Sequence, residues 1–421
     1  SLHDALPISN PPANPGGLRS QAGPPLNLTV TMLFCTGSNS HGQLGLGDTL
    51  DRHSFAAVPS LPSAPASLAL GANHSLALLP DGQLYTSGSN TRGQLGPAAP
   101  STTFAHLPLE LILGALVDPD RANLGSAGAW VVTGVAAAWE TSFVHLRSRN
   151  ADRADALVSM GANDWGEAGT ATPTGQVNLV SFSHLLPRPT TLFKISYLAA
   201  SPRHVLVSLD LPSESLVVGW GAARHGQLGS VSARTIPLPT HIPLPLSTTI
   251  LQLALGRDHS ALLVRTADSP PSTLLLGSNK HGQTSLPSAG TTSVVQIGCT
   301  WSGTYLLDAS LTRVVCAGSN THGQLAASTS PSCSSCTISL PPHRTVTRLV
   351  CGSEHVLALC DAPAGPEVWA WGWNEHGNLG DATVEDAREL KRVWPPTGAE
   401  ETHGPVVDLW AGNATSWIRR S

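Results

Sequence analysis

A nine-residue phrase, Gly-x-Asn-x-x-Gly-Gln-Leu-Gly in its fullest form, is written seven times along the chain. The copies read GSNSHGQLG from Gly37, GSNTRGQLG from Gly88, GANDWGEAG from Gly161 and GAARHGQLG from Gly221. They continue as GSNKHGQTS from Gly277, GSNTHGQLA from Gly318 and GWNEHGNLG from Gly372. A second phrase alternates with the first and also has seven copies. It reads LALGANHSLAL from Leu68, VAAAWETSFV from Val135, LAASPRHVLV from Leu198 and LALGRDHSALL from Leu253. The remaining copies are QIGCTWSGTYLL from Gln296, LVCGSEHVLAL from Leu349 and LWAGNATSWI from Leu409. Repetition at this period marks a solenoid, a propeller or an array, with inserts falling in loops.

One unit shows which of these it is. Thr31 to Cys35 is an apolar, β-prone run into Gly37, the pattern of a strand ending in a turn. Asn39 is placed to bond the backbone two residues on, and Leu44 to return to the core. Leu68–Leu70 and Ser75–Leu78 read as strands around a Gly71–His74 turn. Pro80-Asp81-Gly82-Gln83 is a tight-turn signal before the strand Leu84–Ser87. About four short antiparallel strands per unit, repeated radially, predict an all-β, seven-bladed propeller. Apolar residues alternate by two, which excludes helical repeats. Trp-Asp signatures are absent, and Gly16-Gly17 is the lone Gly-Gly pair, which excludes the WD and kelch types.

The array opens with a first phrase and closes with a second, so the last unit lacks its next strand. A segment at about Leu28 to Thr36 is therefore predicted to pair beside the strand ending near Ile418 and close the ring. Residues 27–421 form this single body, with loop inserts near 97–128, 231–249 and 327–341. Residues 1–26, rich in Pro, Gly, Asn and Ser, read as a disordered leader with no secretory pattern.

Composition excludes several function classes. Only three Lys occur, at Lys194, Lys280 and Lys391, and the net charge is −5. The clustered cations of a nucleic-acid binder are missing. No apolar stretch is long enough for a membrane span. The seven Cys sit mostly inside apolar strands, which suits buried thiols in a reducing compartment. Cys333-x-x-Cys336 has no second pair to complete a zinc site and reads as an exposed loop. No nucleophile elbow, phosphate loop or His-Glu-x-x-His is present, so neither catalytic residues, nor a cofactor, nor a metal is expected.

Residues that recur in register build the repeat. His41, His225, His281, His322 and His376 fall a blade apart, and so do His74, His204, His259 and His355. Function is sought where copies differ. Trp139, Trp301 and Trp373 break the pattern, and Trp is enriched at binding hot spots. Trp369, Trp371, Trp410 and Trp417 lie in apolar strands and read as core. Radial symmetry brings Glu140, Arg203, Asp258 and Glu354 to one face. The expected partner-binding set is Trp139, Glu140, Arg203, Asp258, Trp301, Glu354, Trp373 and Glu375.

The paired phrases resemble the regulator-of-chromosome-condensation repeat, whose members are seven-bladed propellers; the resemblance runs from about Leu33 to Ile418. Trp139 to Val144, Trp301 to Tyr305, Trp371 to Asn378 and Ala411 to Trp417 look more narrowly like the fungal alpha-tubulin suppressor subfamily. That resemblance implies a non-catalytic scaffold binding a small zinc protein of the diphthamide and Elongator pathways. It would support diphthamide formation on elongation factor two and wobble-uridine modification of tRNA, without contacting nucleic acid or membrane itself. It implies a monomer or a 1:1 heterodimer in the cytoplasm, with a nuclear pool left open. The parent family implies an alternative, nucleotide exchange on a small nuclear GTPase.

Overall fold

The computed structural model describes residues 32–171, 177–188, 190–230, 232–245, 248–267, 269–286, 293–326, 335–396 and 404–421. The leader expected over 1–26, together with Cys333, lies outside them. Each second phrase supplies the two inner strands of a blade, and each first phrase caps the third. Blade 1 runs Ser67–Leu70, His74–Leu78, Leu84–Gly88 and Ser101–His106. Blade 2 is Trp130–Ala137, Thr141–Ser148, Ala156–Gly161 and Val177–Val180; blade 3 is Lys194–Ala200, His204–Asp210, Ser215–Ala222 and Thr235–Ile242. Blade 4 shows three strands among the described residues, Thr249–Leu255, His259–Arg265 and Ser272–Gly277. Blade 5 is Val294–Thr300, Gly303–Asp308, Arg313–Gly318 and Ser335–Ser339; blade 6 is Thr345–Cys351, His355–Asp361, Glu367–Gly372 and Ala387–Trp394.

Blade 7 closes the ring. Its inner strands, Val406–Ala411 and Thr415–Arg420, come from the end of the described chain, and its outer strands, Met32–Gly37 and Arg52–Ala57, from the beginning. Phe34 lies opposite Ile418 in an antiparallel ladder running from Met32↔Arg420 to Gly37↔Thr415. The protein is thus an all-β, seven-bladed propeller with the closure read from the order of the phrases.

The core is divided into seven apolar clusters, one in each seam between neighbouring blades. In blade 2, Phe143 faces Val205 and Trp220 of blade 3, while its neighbour Val144 faces Leu76 of blade 1. In blade 6, Leu357 and Leu359 enter the seam with blade 7, and Val356 and Ala358 the seam with blade 5. Successive side chains leave opposite faces of a strand, so a strand between two seams is buried at every position. This is why Val205–Leu209 is buried throughout. At about 25 cal/mol per Å2 of apolar area, these seams supply the main driving force for closure.

Two expectations are corrected. Asn39 does not bond two residues on: its Oδ1 accepts from Leu44 N–H, five residues ahead, at 2.9 Å. The same five-residue bridge recurs at Asn90, Asn163, Asn279, Asn320 and Asn374. The inserts read as loops carry regular structure. Residues 97–128 hold the strand Ser101–His106 and helices α1 (Leu109–Gly114) and α2 (Asp120–Leu124); the later inserts hold Thr235–Ile242 and Ser335–Ser339. Ile112, Leu113 and Leu124 are buried beside Trp130, so this insert extends a seam instead of looping into solvent.

Candidate functional site

His74 pairs with Gly88 across blade 1, so the turn of the second phrase and the loop of the first emerge on one face. The same register recurs at His204↔Gly221, His259↔Gly277 and His355↔Gly372. The phrases are locked together there. The residue after each opening glycine donates its N–H to the turn carbonyl of the second phrase. Ser38 bonds Ala414, Ser89 bonds Asn73, Ala162 bonds Glu140 and Ala222 bonds Arg203; Ser278 bonds Asp258, Ser319 bonds Ser302 and Trp373 bonds Glu354. All seven distances are 2.8 or 2.9 Å. Gly88 has φ +104°, and a β-carbon there would run into the Asn73 carbonyl oxygen. Equivalent β-carbons at the other six glycines would stand no farther than 2.6 Å from the corresponding carbonyl. Both the backbone conformation and the approach therefore require glycine.

Beneath these turns, histidines staple blade to blade. His74 Nε2 is 2.9 Å from Ser142 Oγ, and Ser142 donates to the Gln94 carbonyl at 2.7 Å. His204–Ser260–Gln227 and His355–Ser416–Asn378 repeat the relay, and His259 reaches Thr304 at 3.0 Å. Because each serine donates onward, the imidazole must donate from Nε2 and leave Nδ1 unprotonated; in His204 that nitrogen stands 2.8 Å from Ser201 Oγ. Burial pushes His74 and His204 down to about 3, and His259 and His355 to about 4. These histidines are neutral structural parts.

Two of the pattern-breaking residues, Trp139 and Trp301, meet at the centre of the same face. The inner strands of all seven blades line an axial channel of about 340 Å3, walled largely by Ala, Leu and backbone. Trp139 of blade 2 and Trp301 of blade 5, three blades apart, meet with ring centroids 5.7 Å apart, tilted by 51°. Two side chains so far apart around the ring can touch only across the channel mouth. Trp139 nonetheless stays 41% exposed. Its carbonyl accepts from Ala72 N–H, and the Trp301 carbonyl accepts from Arg257 N–H, so neighbouring turns fix both backbones.

Around the pair runs a charged arc. Arg92 reaches Asp164 at 2.7 Å and Glu140 at 3.7 Å. Arg203 lies over the exposed Trp165 ring at 4.6 Å and faces Asp258 at 3.6 Å. Asp258 also accepts from Arg257, whose guanidinium sits 5.8 Å from the Trp301 ring. Glu354 accepts from Gln324 Nε2 at 3.0 Å; burial raises its carboxyl above the ordinary value, against bonds from Gln324 and Ser302. Trp373 and the exposed Glu375 stand apart in the blade 6 loop, where Trp373 packs edge-on against His376. Of the eight sequence-selected residues, the structure groups Trp139, Glu140, Arg203, Asp258 and Trp301 around the mouth, with Glu354 in the adjoining turn. Arg92, Trp165 and Arg257 were missed. Trp165 and Arg92 occupy the commonplace His position of the first phrase, and its non-His copies were the available signal.

A second polar cluster, on the opposite face, also escaped the sequence reading. Asp155, fully buried, accepts from His145 at 2.9 Å, Lys194 at 3.2 Å and Ile195 N–H at 3.0 Å. Burial works to raise its carboxyl, but these bonds outweigh it and leave it below the ordinary range. Thr133 Oγ1 stands 3.2 Å from the other nitrogen of His145. The chain of hydroxyl, imidazole and carboxylate ties blade 2 to the first strand of blade 3 and is a brace. Among the described residues, no three His, Cys, Asp or Glu side chains converge as metal ligands. No described helix is long and apolar enough to cross a membrane.

Fold and face together define a propeller whose blades are built from two interlocking turn phrases. Models of the regulator of chromosome condensation (RCC1) repeat match residues 66–94, and residues 32–78 and 216–263. A bovine (Bos taurus) protein called secretion-regulating guanine nucleotide exchange factor is 28% identical over 87% of this chain and 78% of its own length. An RCC1 repeat-containing protein of Schizosaccharomyces pombe is 27% identical over 92% of this chain and 98% of its own. Among solved structures, Prp20p of Saccharomyces cerevisiae superposes with a TM-score of 0.72 at 20% identity, covering 94% of this chain and 92% of that one. Human WBSCR16 superposes at 0.70 with 18% identity, covering 93% and 100%. The solved structures speak to the fold alone.

Proposed function

We propose that this protein is a non-catalytic interaction scaffold whose signature-turn face holds a small zinc-bearing protein. Through that partner it supports diphthamide synthesis and Elongator-dependent modification of tRNA wobble uridines, acting in the cytoplasm as a 1:1 complex. The observation that carries the binding face is the Trp139–Trp301 pair over the channel mouth. Exposed aromatic area at the centre of a charged rim is the composition of an interface hot spot, with Arg92, Arg203 and Arg257 supplying the residue type enriched beside Trp. Trp373 and Glu375 extend the surface over blade 6. The identity of the partner rests on the likeness of the Trp-containing segments to the alpha-tubulin suppressor subfamily. Co-purification from the native host, with zinc measured in the eluate, tests it. A stoichiometric small Cys-rich zinc protein is the expected companion, and its absence rejects the reading.

A second reading is favoured by one finding, the bovine relative named as a guanine nucleotide exchange factor over most of this chain. On that reading the same face would engage a small GTPase and bias it toward its nucleotide-free form. Release of labelled GDP from small GTPases decides between them: acceleration supports exchange activity, and an unchanged rate removes it.

A further inference from the structure

Blade 5 holds a pair of cysteines that no role above uses. Cys316 sits in its third strand, Arg313–Gly318, and Cys336 in its outermost strand, Ser335–Ser339. The ladder makes them direct antiparallel partners, Cys316↔Cys336. Their Sγ atoms are 3.2 Å apart, and no disulfide joins them. A disulfide needs sulfurs at about 2.05 Å and β-carbons about 3.5–4.5 Å apart. Directly opposed residues of an antiparallel pair start with β-carbons about 4.5–5.5 Å apart, so χ1 rotation can bring the sulfurs together with a small approach of the two strands. The two thiols differ in access. Cys316 is fully buried against the seam with blade 6, and Cys336 is partly exposed at the blade's outer edge. Cys336 is also the second residue of the Cys333-x-x-Cys336 motif, and the other half of that motif lies outside the described residues.

We propose that Cys316 and Cys336 are an oxidation site that closes a cross-strand disulfide within blade 5. The co-reactant is a peroxide. The exposed Cys336 sulfur attacks one peroxide oxygen, the O–O bond breaks, and a sulfenic acid and one water result. The Cys316 sulfur then attacks the sulfenic sulfur, the S–O bond breaks, and the S–S bond forms with loss of a second water. Two thiols lose two hydrogens and two electrons, and hydrogen peroxide is reduced to two waters. The hydrogen bond from Cys316 holds Cys336 below the ordinary thiol range, which favours its thiolate as first nucleophile. Cys299, Cys351 and Cys360 are pushed the opposite way by burial and stay reduced. The bond would fasten the outermost strand, Ser335–Ser339, to its neighbour, Arg313–Gly318.

The test is to treat the folded full chain with hydrogen peroxide at low molar excess, block remaining thiols, digest and map linked peptides by mass spectrometry. The expected product is a 316–336 link with accessible-thiol titration in denaturant falling from seven to five. The variant Cys333→Ser should form the same link, and Cys336→Ser should form none. A 333–336 link in the wild type, a full count of seven thiols, or over-oxidation of Cys336 without a link to Cys316 would each overturn the proposal.

Discussion

Gly88 shows how one residue carries a repeat. Its φ of +104° and the Asn73 carbonyl beside it exclude any side chain. Gly365 has a similar φ, +115°, but open space where a β-carbon would go. The pair separates conformational strain from collision. Gly365→Ala should cost about 1 kcal/mol and Gly88→Ala about 3 kcal/mol or more, read from urea unfolding midpoints. Equal losses would mean that the carbonyl contact is not what fixes the phrase. The opening glycine was legible in the sequence because it recurs; its reason was not, because the clashing carbonyl lies 15 residues upstream. For the same reason Asn39 was assigned a bond two residues ahead, when the loop folds back to present Leu44 N–H.

Between elements, the histidine relay couples neighbouring blades and makes the seams sensitive to acid. His74, His204, His259 and His355 have folded values of about 3 to 4 against an ordinary 6.5. A depressed imidazole stays neutral in the folded protein while the unfolded chain takes up protons. The stabilisation is therefore complete above about pH 6.5 and is lost as the pH falls toward 3 to 4, at about 1.4 kcal/mol per pH unit for each histidine. Unfolding free energy measured from pH 7 to 5 should fall, and the slope for His204→Gln should be shallower by one proton. An unchanged slope in that variant would show that His204 is not neutral and buried as described. The sequence identified these histidines as structural from their register. Their serine partners went unrecognised because Ser142 follows His74 by 68 residues, one blade away. The helices of residues 97–128 were missed for a related reason: α1 and α2 are only six and five residues long, too short to show helical periodicity, and are held by burial beside Trp130.

For the whole molecule, closure and the binding face are the two claims. Met32–Gly37 bonds Thr415–Arg420 on one side and Arg52–Ala57 on the other. Removing residues through Gly37 should abolish the single cooperative unfolding transition, since seams on both sides of blade 7 lose Leu33, Phe34 and Cys35. Retention of one sharp transition at the same midpoint would argue against an obligatory closing strand. Blade number and closure were readable because each phrase marks one blade and their order fixes the join. The meeting of Trp139 and Trp301 was not readable, because nothing local in a sequence reports a contact across an axis. That contact centres the account, and amide hydrogen exchange of the chain with and without its co-purified partner tests it most directly. Protection is predicted in the turns around Trp139, Arg203, Asp258 and Trp301; protection confined to the opposite face, around residues 107–129 and Asp155, would contradict it.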